Sequence, residues 1–177
     1  MDLRVKKTLK SIKEAFYQLR KKKPIEKISV KELSEIAMIN KATFYLHYKD
    51  VYDLSEKLEN ELISEVIDNV RQYDLRLGKS EFRLFAENLS RTIVAHSKEI
   101  EILFSGYDNN RFVNHLEDRI KEYVFMTFPN IPNNNEINII FTLFIQGSYH
   151  THIRNKTINP DILIATTTSL FMKLIDV

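Results

Sequence analysis

The stretch SVKELSEIAMINKATFYLHYKDVYDL, residues 29–54, decides the fold of this chain. It reads as two short helices joined by a tight turn and running into a long third helix. Ser29 stands three residues before Glu32, the spacing of a reciprocal capping pair that satisfies free backbone N–H groups at a helix start. Val30, Leu33, Ile36 and Ala37 follow at three- and four-residue steps, so one face of this first helix is apolar. Asn40 can cap the second helix. Ile39 before it and Phe44 within it have the spacing of a hydrophobic staple, which fixes the angle at which the chain arrives. Asp50 can cap the third helix.

Two helices separated by so short a turn form a helix-turn-helix, whose second helix enters the DNA major groove. The outward residues of that helix are Lys41, Ala42, Thr43, Tyr45, Leu46 and His47, a set able to donate to phosphates or touch a thymine methyl. Spacing alone leaves open an ordinary helix pair in a small helical protein.

These residues resemble the N-terminal signature of TetR-type (tetracycline-repressor-like) transcriptional regulators. That signature runs Thr/Ser-Val, two residues, Ile/Leu-Ala, a turn, a Ser or Asn cap, Thr, an aromatic residue, then His-Phe/Tyr. The likeness covers about residues 8–60; the rest agrees in length, helicity and a few landmarks. It implies an all-α protein of about nine helices, with a three-helix DNA-binding domain at residues 1–55 and a helical ligand-binding and dimerisation domain at 56–177. Lys41, Thr43 and Leu46 would face base edges, while Ser29, Tyr45, His47 and Lys49 would hold phosphates; Ala42 belongs to the same DNA-binding set. Three positions depart from the pattern. The turn Gly is Met38, the Gly before Thr is Ala42, and the Lys opening the next helix is Val51. Met38 must make the turn without glycine's ease at positive φ; Lys49 is the expected substitute at the phosphate position.

The charge distribution agrees with a polyanion partner for one end. The net charge is +2, yet residues 1–49 hold 13 Lys/Arg against 5 Asp/Glu, leaving 13 basic and 19 acidic residues beyond. The chain of 177 residues is long enough for a substantial core. Three Gly and 4 Pro favour helices, and the lack of cysteine excludes disulfides and thiolate sites. No apolar run could span a bilayer and residues 1–10 lack a signal-peptide core, so a cytoplasmic protein is expected.

Upstream, Val5, Leu9, Ile12, Phe16 and Leu19 form a helical stripe over residues 3–22, opposite Arg4, Lys7, Lys10 and Lys21. Lys6, Lys7 and Thr8 lie where family members lay this helix along a phosphate backbone. Pro24 ends the segment. Downstream, the long helix spans residues 50–73 with Leu54, Leu58, Leu62, Val66 and Val70 on one stripe, and Gly78 is the expected stop. The resemblance makes this helix the carrier of a pendulum-like tilt. Further helices are expected at residues 80–97, 98–104 and 110–128, with a turn at Ser105-Gly106 and a Pro129–Pro132 loop.

The helix at residues 136–155 is apolar nearly all round, with Gly147-Ser148 at its middle, which predicts a close backbone approach by a helix or a ligand. The last helix starts at Pro160 and bears Leu163, Thr167, Leu170 and Leu174 beside Ile164, Phe171 and Ile175. Two such helices suit a four-helix bundle across a two-fold axis, and the family dimerises there. The stretch FIQGSYHTHIRN is similar to a C-terminal type of Firmicutes members.

No metal or catalytic constellation emerges, so neither a cofactor nor an enzyme is expected. His150 and His152 diverge by about 200° on a helix, and no phosphate loop or Ser-His-Asp set occurs. Among many rings, including Phe104 and Tyr107, the family's effector pocket maps to Phe85, His96, Tyr123, Phe144, Gln146 and Tyr149, suited to a small apolar or aromatic effector; taken singly, each ring reads better as core. The function expected is a homodimeric repressor on a pseudo-palindromic operator. The alternative is a TetR-fold protein with a degenerate head acting through protein partners or as an activator.

Overall fold

The computed structural model describes residues 3–104 and 110–175. Among these are nine α-helices, two short 3₁₀ turns and no strand: α1 Leu3–Arg20, α2 Val30–Ile36, α3 Lys41–Tyr45, α4 Val51–Val70, α5 Lys79–Ala95, α6 Ser97–Leu103, α7 Arg111–Thr127, α8 Asn135–Arg154 and α9 Pro160–Ile175. The all-α expectation is met. The expected turn at Ser105-Gly106 and the ring of Tyr107 lie outside the described residues.

The chain forms two compact units. One is Met1–Leu62 with Lys98–Asn109, the other Ile63–Ser97 with Asn110–Val177. The change of unit therefore falls inside α4, seven residues beyond the expected 55/56 division. The segment that contains Phe104 belongs with the first unit, away from Phe85, Tyr123, Phe144 and Tyr149 in the second.

In the first unit α1 packs on α2 and α2 on α3. Ile12, Phe16 and Leu19 of α1, Leu33 of α2, Phe44 of α3 and Leu54 and Leu58 of α4 are buried, whereas Val5 and Leu9 nearer the start of α1 are half-buried. Ser29 Oγ accepts the Glu32 N–H at 3.2 Å, as the spacing predicts. The reciprocal bond gives way to a salt bridge: the Glu32 carboxylate pairs with Lys23 Nζ. Lys23 follows the end of α1, so the ion pair ties the first helix to the second across the 3₁₀ turn Ile25–Lys27.

The turn after α2 closes by a two-bond pattern. Ile39 N–H donates to Ser34 O at 3.0 Å and Met38 N–H to Glu35 O at 3.3 Å, the bonds of a Schellman cap. Met38 occupies the left-handed position at φ +53°, among the described residues the one non-glycine with positive φ. Methionine thus adopts a conformation that glycine reaches freely, at a cost of about 1 kcal/mol. Its side chain is 91% exposed, so packing does not offset that cost. Met38→Gly is expected to raise first-unit stability by about 1 kcal/mol. Urea unfolding monitored on first-unit amides would read this, and an unshifted midpoint would show that the turn carries no strain.

In the second unit α8 lies against α7 and α9, and α9 also against α5. Phe85, Leu89 and Ile93 of α5, Phe112, Leu116, Ile120 and Val124 of α7, Phe141, Phe144 and Ile145 of α8, and Leu163, Ile164 and Phe171 of α9 supply the core. The Phe144 and Phe171 rings stack at 4.1 Å and join α8 to α9, which follows it after a short connection. A polar seam joins α7 to α8. Lys121 Nζ donates to Glu117 Oε1 at 2.7 Å and to Thr142 Oγ1 at 2.8 Å, while Gln146 Nε2 donates to Glu117 Oε2 at 2.8 Å. Burial alone would push the Glu117 carboxyl up; the bonds from Lys121, Thr142 and Gln146 outweigh it and hold it below its ordinary value.

Three expectations are corrected. The long helix stops at Val70 rather than near Tyr73. Gly78 does not end it: at φ +99° and ψ −162° it links the 3₁₀ turn Leu75–Leu77 to α5, a conformation open to glycine alone. Gly147 meets no neighbour, since a Cβ built there finds nothing within 4 Å. The close approach expected at Gly147 is not made within this chain.

Candidate nucleic-acid interface

A helix of five residues needs both ends held, because one turn has too few internal hydrogen bonds to persist by itself. Asn40 Oδ1 accepts the Thr43 N–H at 3.1 Å at the front of α3. Phe44 is the anchor below: fully buried, its ring lies 5.6 Å from that of Tyr45, edge to face, and 5.5 Å from that of Tyr48. The back end is fixed from α4. Asp50 Oδ1 accepts the Asp53 N–H at 2.8 Å as the helix cap, and Asp53 Oδ2 accepts the Lys49 N–H at 2.9 Å, one residue before the cap. Lys57 Nζ then bridges Asp53 Oδ2 at 3.0 Å and the His47 carbonyl at 3.1 Å, and sits 5.1 Å from the Tyr48 ring centre.

These contacts have an electrostatic signature. The Lys49 N–H and the Lys57 ammonium hold the Asp53 carboxyl below its ordinary value. Burial pushes the Tyr48 phenol up, aided by the charges of Glu61 and Asp53. Sequence reading takes Tyr48 only as the end of the signature and passes over Asp53 and Lys57. The Asp50-x-x-Asp53 spacing and the four-residue step to Lys57 are the signals that could have found them.

With Phe44 turned inward, α3 exposes Lys41, Ala42, Tyr45 and Leu46. Lys41 and Tyr45 are one helical turn apart, as are Ala42 and Leu46, so the surface consists of two parallel rows, one polar and one apolar. Ser29 and Lys49 are exposed as well, whereas Thr43 and His47 are half-buried. The Ser29 oxygen is engaged by Glu32 N–H, leaving its O–H as the donor to an outside acceptor. Val51, where the resemblance leads one to expect a lysine, is 5% exposed and part of the core, so it contributes no surface charge. Arg4, Lys6, Lys7 and Lys10 of α1 and Lys21, Lys22, Lys27 and Lys31 are exposed on the same unit.

The six residues expected around an effector have diverse surroundings. Phe85 is fully buried, Phe144 stacks on Phe171, and the Tyr149 ring lies 5.6 Å from that of Phe112. Burial pushes the Tyr149 phenol up. Gln146 belongs to the Glu117 seam, Tyr123 Oη reaches the Arg71 carbonyl at 3.5 Å, and His96 Nε2 lies 3.5 Å from a Glu65 carboxylate oxygen. Among the described residues no cluster of three or more potential metal ligands occurs, and no helix is long and apolar enough to cross a membrane.

Comparison with known proteins yields structural likeness only. No family model and no curated protein matches the chain. Among solved structures, a protein from Syntrophomonas wolfei assigned to the TetR-family transcriptional regulators superposes with a TM-score of 0.69 at 18% identity, covering 96% of this chain and 95% of its own. The fatty acid degradation regulator FadR from Bacillus halodurans superposes with a TM-score of 0.60 at 12% identity, covering 93% of this chain and 94% of its own. The fold is TetR-like: a helix-turn-helix head and a helical C-terminal part.

Proposed function

We propose that this TetR-like chain is a one-component transcriptional regulator, a repressor that binds a pseudo-palindromic operator as a homodimer in the cytoplasm. The observation that carries this reading is α3: a capped and anchored single turn whose exposed face bears Lys41, Ala42, Tyr45 and Leu46, on a strongly basic unit. Residues 1–55 serve as the DNA-binding domain and residues 56–177 as the dimerisation and ligand-binding domain, with the C-terminal part of the Firmicutes type. Lys41 faces a base edge; Ser29, Tyr45, His47 and Lys49 hold phosphates, Lys49 in place of the buried Val51.

The dimer forms through α8 and α9. Their outer faces carry Ile139, Leu143, Ile162, Leu170 and Leu174 exposed, with Gly147 open between them. An apolar face of this extent on two adjacent helices needs a partner, and a second copy related by a two-fold axis covers both helices at once. The open Gly147 then receives the partner's helix. Paired heads about 34–36 Å apart reach adjacent turns of one duplex face. A small apolar or aromatic effector, held near Phe85, His96, Tyr123, Phe144, Gln146 and Tyr149, releases the operator by favouring a different head spacing, a coupling between two sites.

Selection of duplexes from sheared genomic DNA tests the reading. With the selected site, Tyr45→Ala is expected to weaken binding to all sequences alike, whereas Lys41→Ala also relaxes base preference. Identical specificity profiles for the two variants would refute the division of roles. A second reading is favoured by the buried Val51 and by Met38 in the turn: a degenerate head that works through a protein partner. Failure to retain any duplex would favour it.

A further inference from the structure

The apolar row on α3 has no role in holding phosphates, and it is not part of the core. Leu46 is 80% exposed at the C-terminal end of α3, one turn from the exposed Ala42. Neither side chain can donate or accept a hydrogen bond. In the major groove the four base pairs present donors and acceptors at every position, and one apolar group, the C5 methyl of thymine. Leu46 pressed on any other base edge strips water from a polar group and returns nothing. On a thymine methyl it buries apolar surface instead.

We propose that Ala42 and Leu46 are specificity-determining residues that select thymine through its C5 methyl, while the neighbouring row, Lys41 and Tyr45, supplies the polar contacts. The inference rests on the DNA-binding reading above and deepens it. It names the chemistry the head recognises: a step in each half-site where a methyl projects into the groove. The basic surroundings argue for a duplex as the occupant of this apolar row, since 13 Lys/Arg lie in residues 1–49 against 5 Asp/Glu. They also hold the head close to the bases while the apolar row discriminates.

The test uses the full chain and the duplex it selects. Each thymine is replaced in turn by deoxyuridine, which removes the methyl and leaves base pairing and all hydrogen-bonding groups intact. Affinity is expected to fall about fourfold for each contacted methyl, at one or two positions per half-site. With Leu46→Ala the same substitution at one of those positions is expected to have no effect. Leu46 is exposed, so this variant keeps the fold, which its helical circular dichroism would verify. Equal affinity of the wild-type chain for every uracil-substituted duplex overturns the proposal, as does an undiminished uracil penalty in Leu46→Ala. If the chain selects no duplex at all, the DNA-binding reading fails first and this inference with it.

Discussion

Raising the salt concentration from about 50 to about 200 mM is expected to weaken operator binding by three to five orders of magnitude, which follows if the dimer neutralises about six to ten phosphates. Each head then needs about three to five ammonium contacts. The first unit can supply them: Lys41 and Lys49 flank α3, and Lys6, Lys7 and Lys10 are exposed on α1. Each such contact releases condensed counterions, so the slope of log affinity against log salt counts them. Lys49→Ala is expected to flatten that slope by about two for the dimer. A slope near zero would mean that the basic unit does not track a backbone.

Placing a charge on the outer face of α9 is expected to have a comparable effect by a different route. Leu170 is 56% exposed in the protomer, so Leu170→Asp leaves the core intact. In the proposed dimer the same position is covered, and an uncompensated carboxylate there costs several kcal/mol on each of two symmetric copies. The expected result is a folded monomer at micromolar concentration by sedimentation equilibrium. Operator affinity should fall at least about a hundredfold, because the second head no longer binds at high effective concentration. A Leu170→Asp protein that remains dimeric would move the interface away from α9.

Much of this architecture was legible because its determinants are local. The caps at Ser29, Asn40 and Asp50 act over three residues, and the stripe Leu54–Leu58–Leu62–Val66–Val70 is buried along its whole length. The proposed recognition surface was legible in part: the pattern places Lys41, Ala42, Tyr45 and Leu46 outward, and they are exposed. It puts Thr43 and His47 there too, although both are half-buried, because a single turn has no clear boundary between its faces. What the sequence hides is the choice among competing partners. Glu32 could return to Ser29 or pair with Lys23, and only the path of the chain past Pro24 brings the lysine within reach. Gly78 looks like a helix stop by composition, yet α4 ends eight residues sooner and leaves Gly78 to a different turn. Position along α9 likewise misleads: Leu163 is buried and Leu170 exposed, although both lie on one periodic stripe.

Lys57 gives the head a mechanical property. By gripping the His47 carbonyl and Asp53 together, it bolts the trailing end of α3 to the second turn of α4. A five-residue helix has no length in which to bend, and its underside is pinned by Phe44. A rotation of α4 about its own axis is therefore expected to carry Tyr45 and Leu46 with it, as a tooth follows its gear.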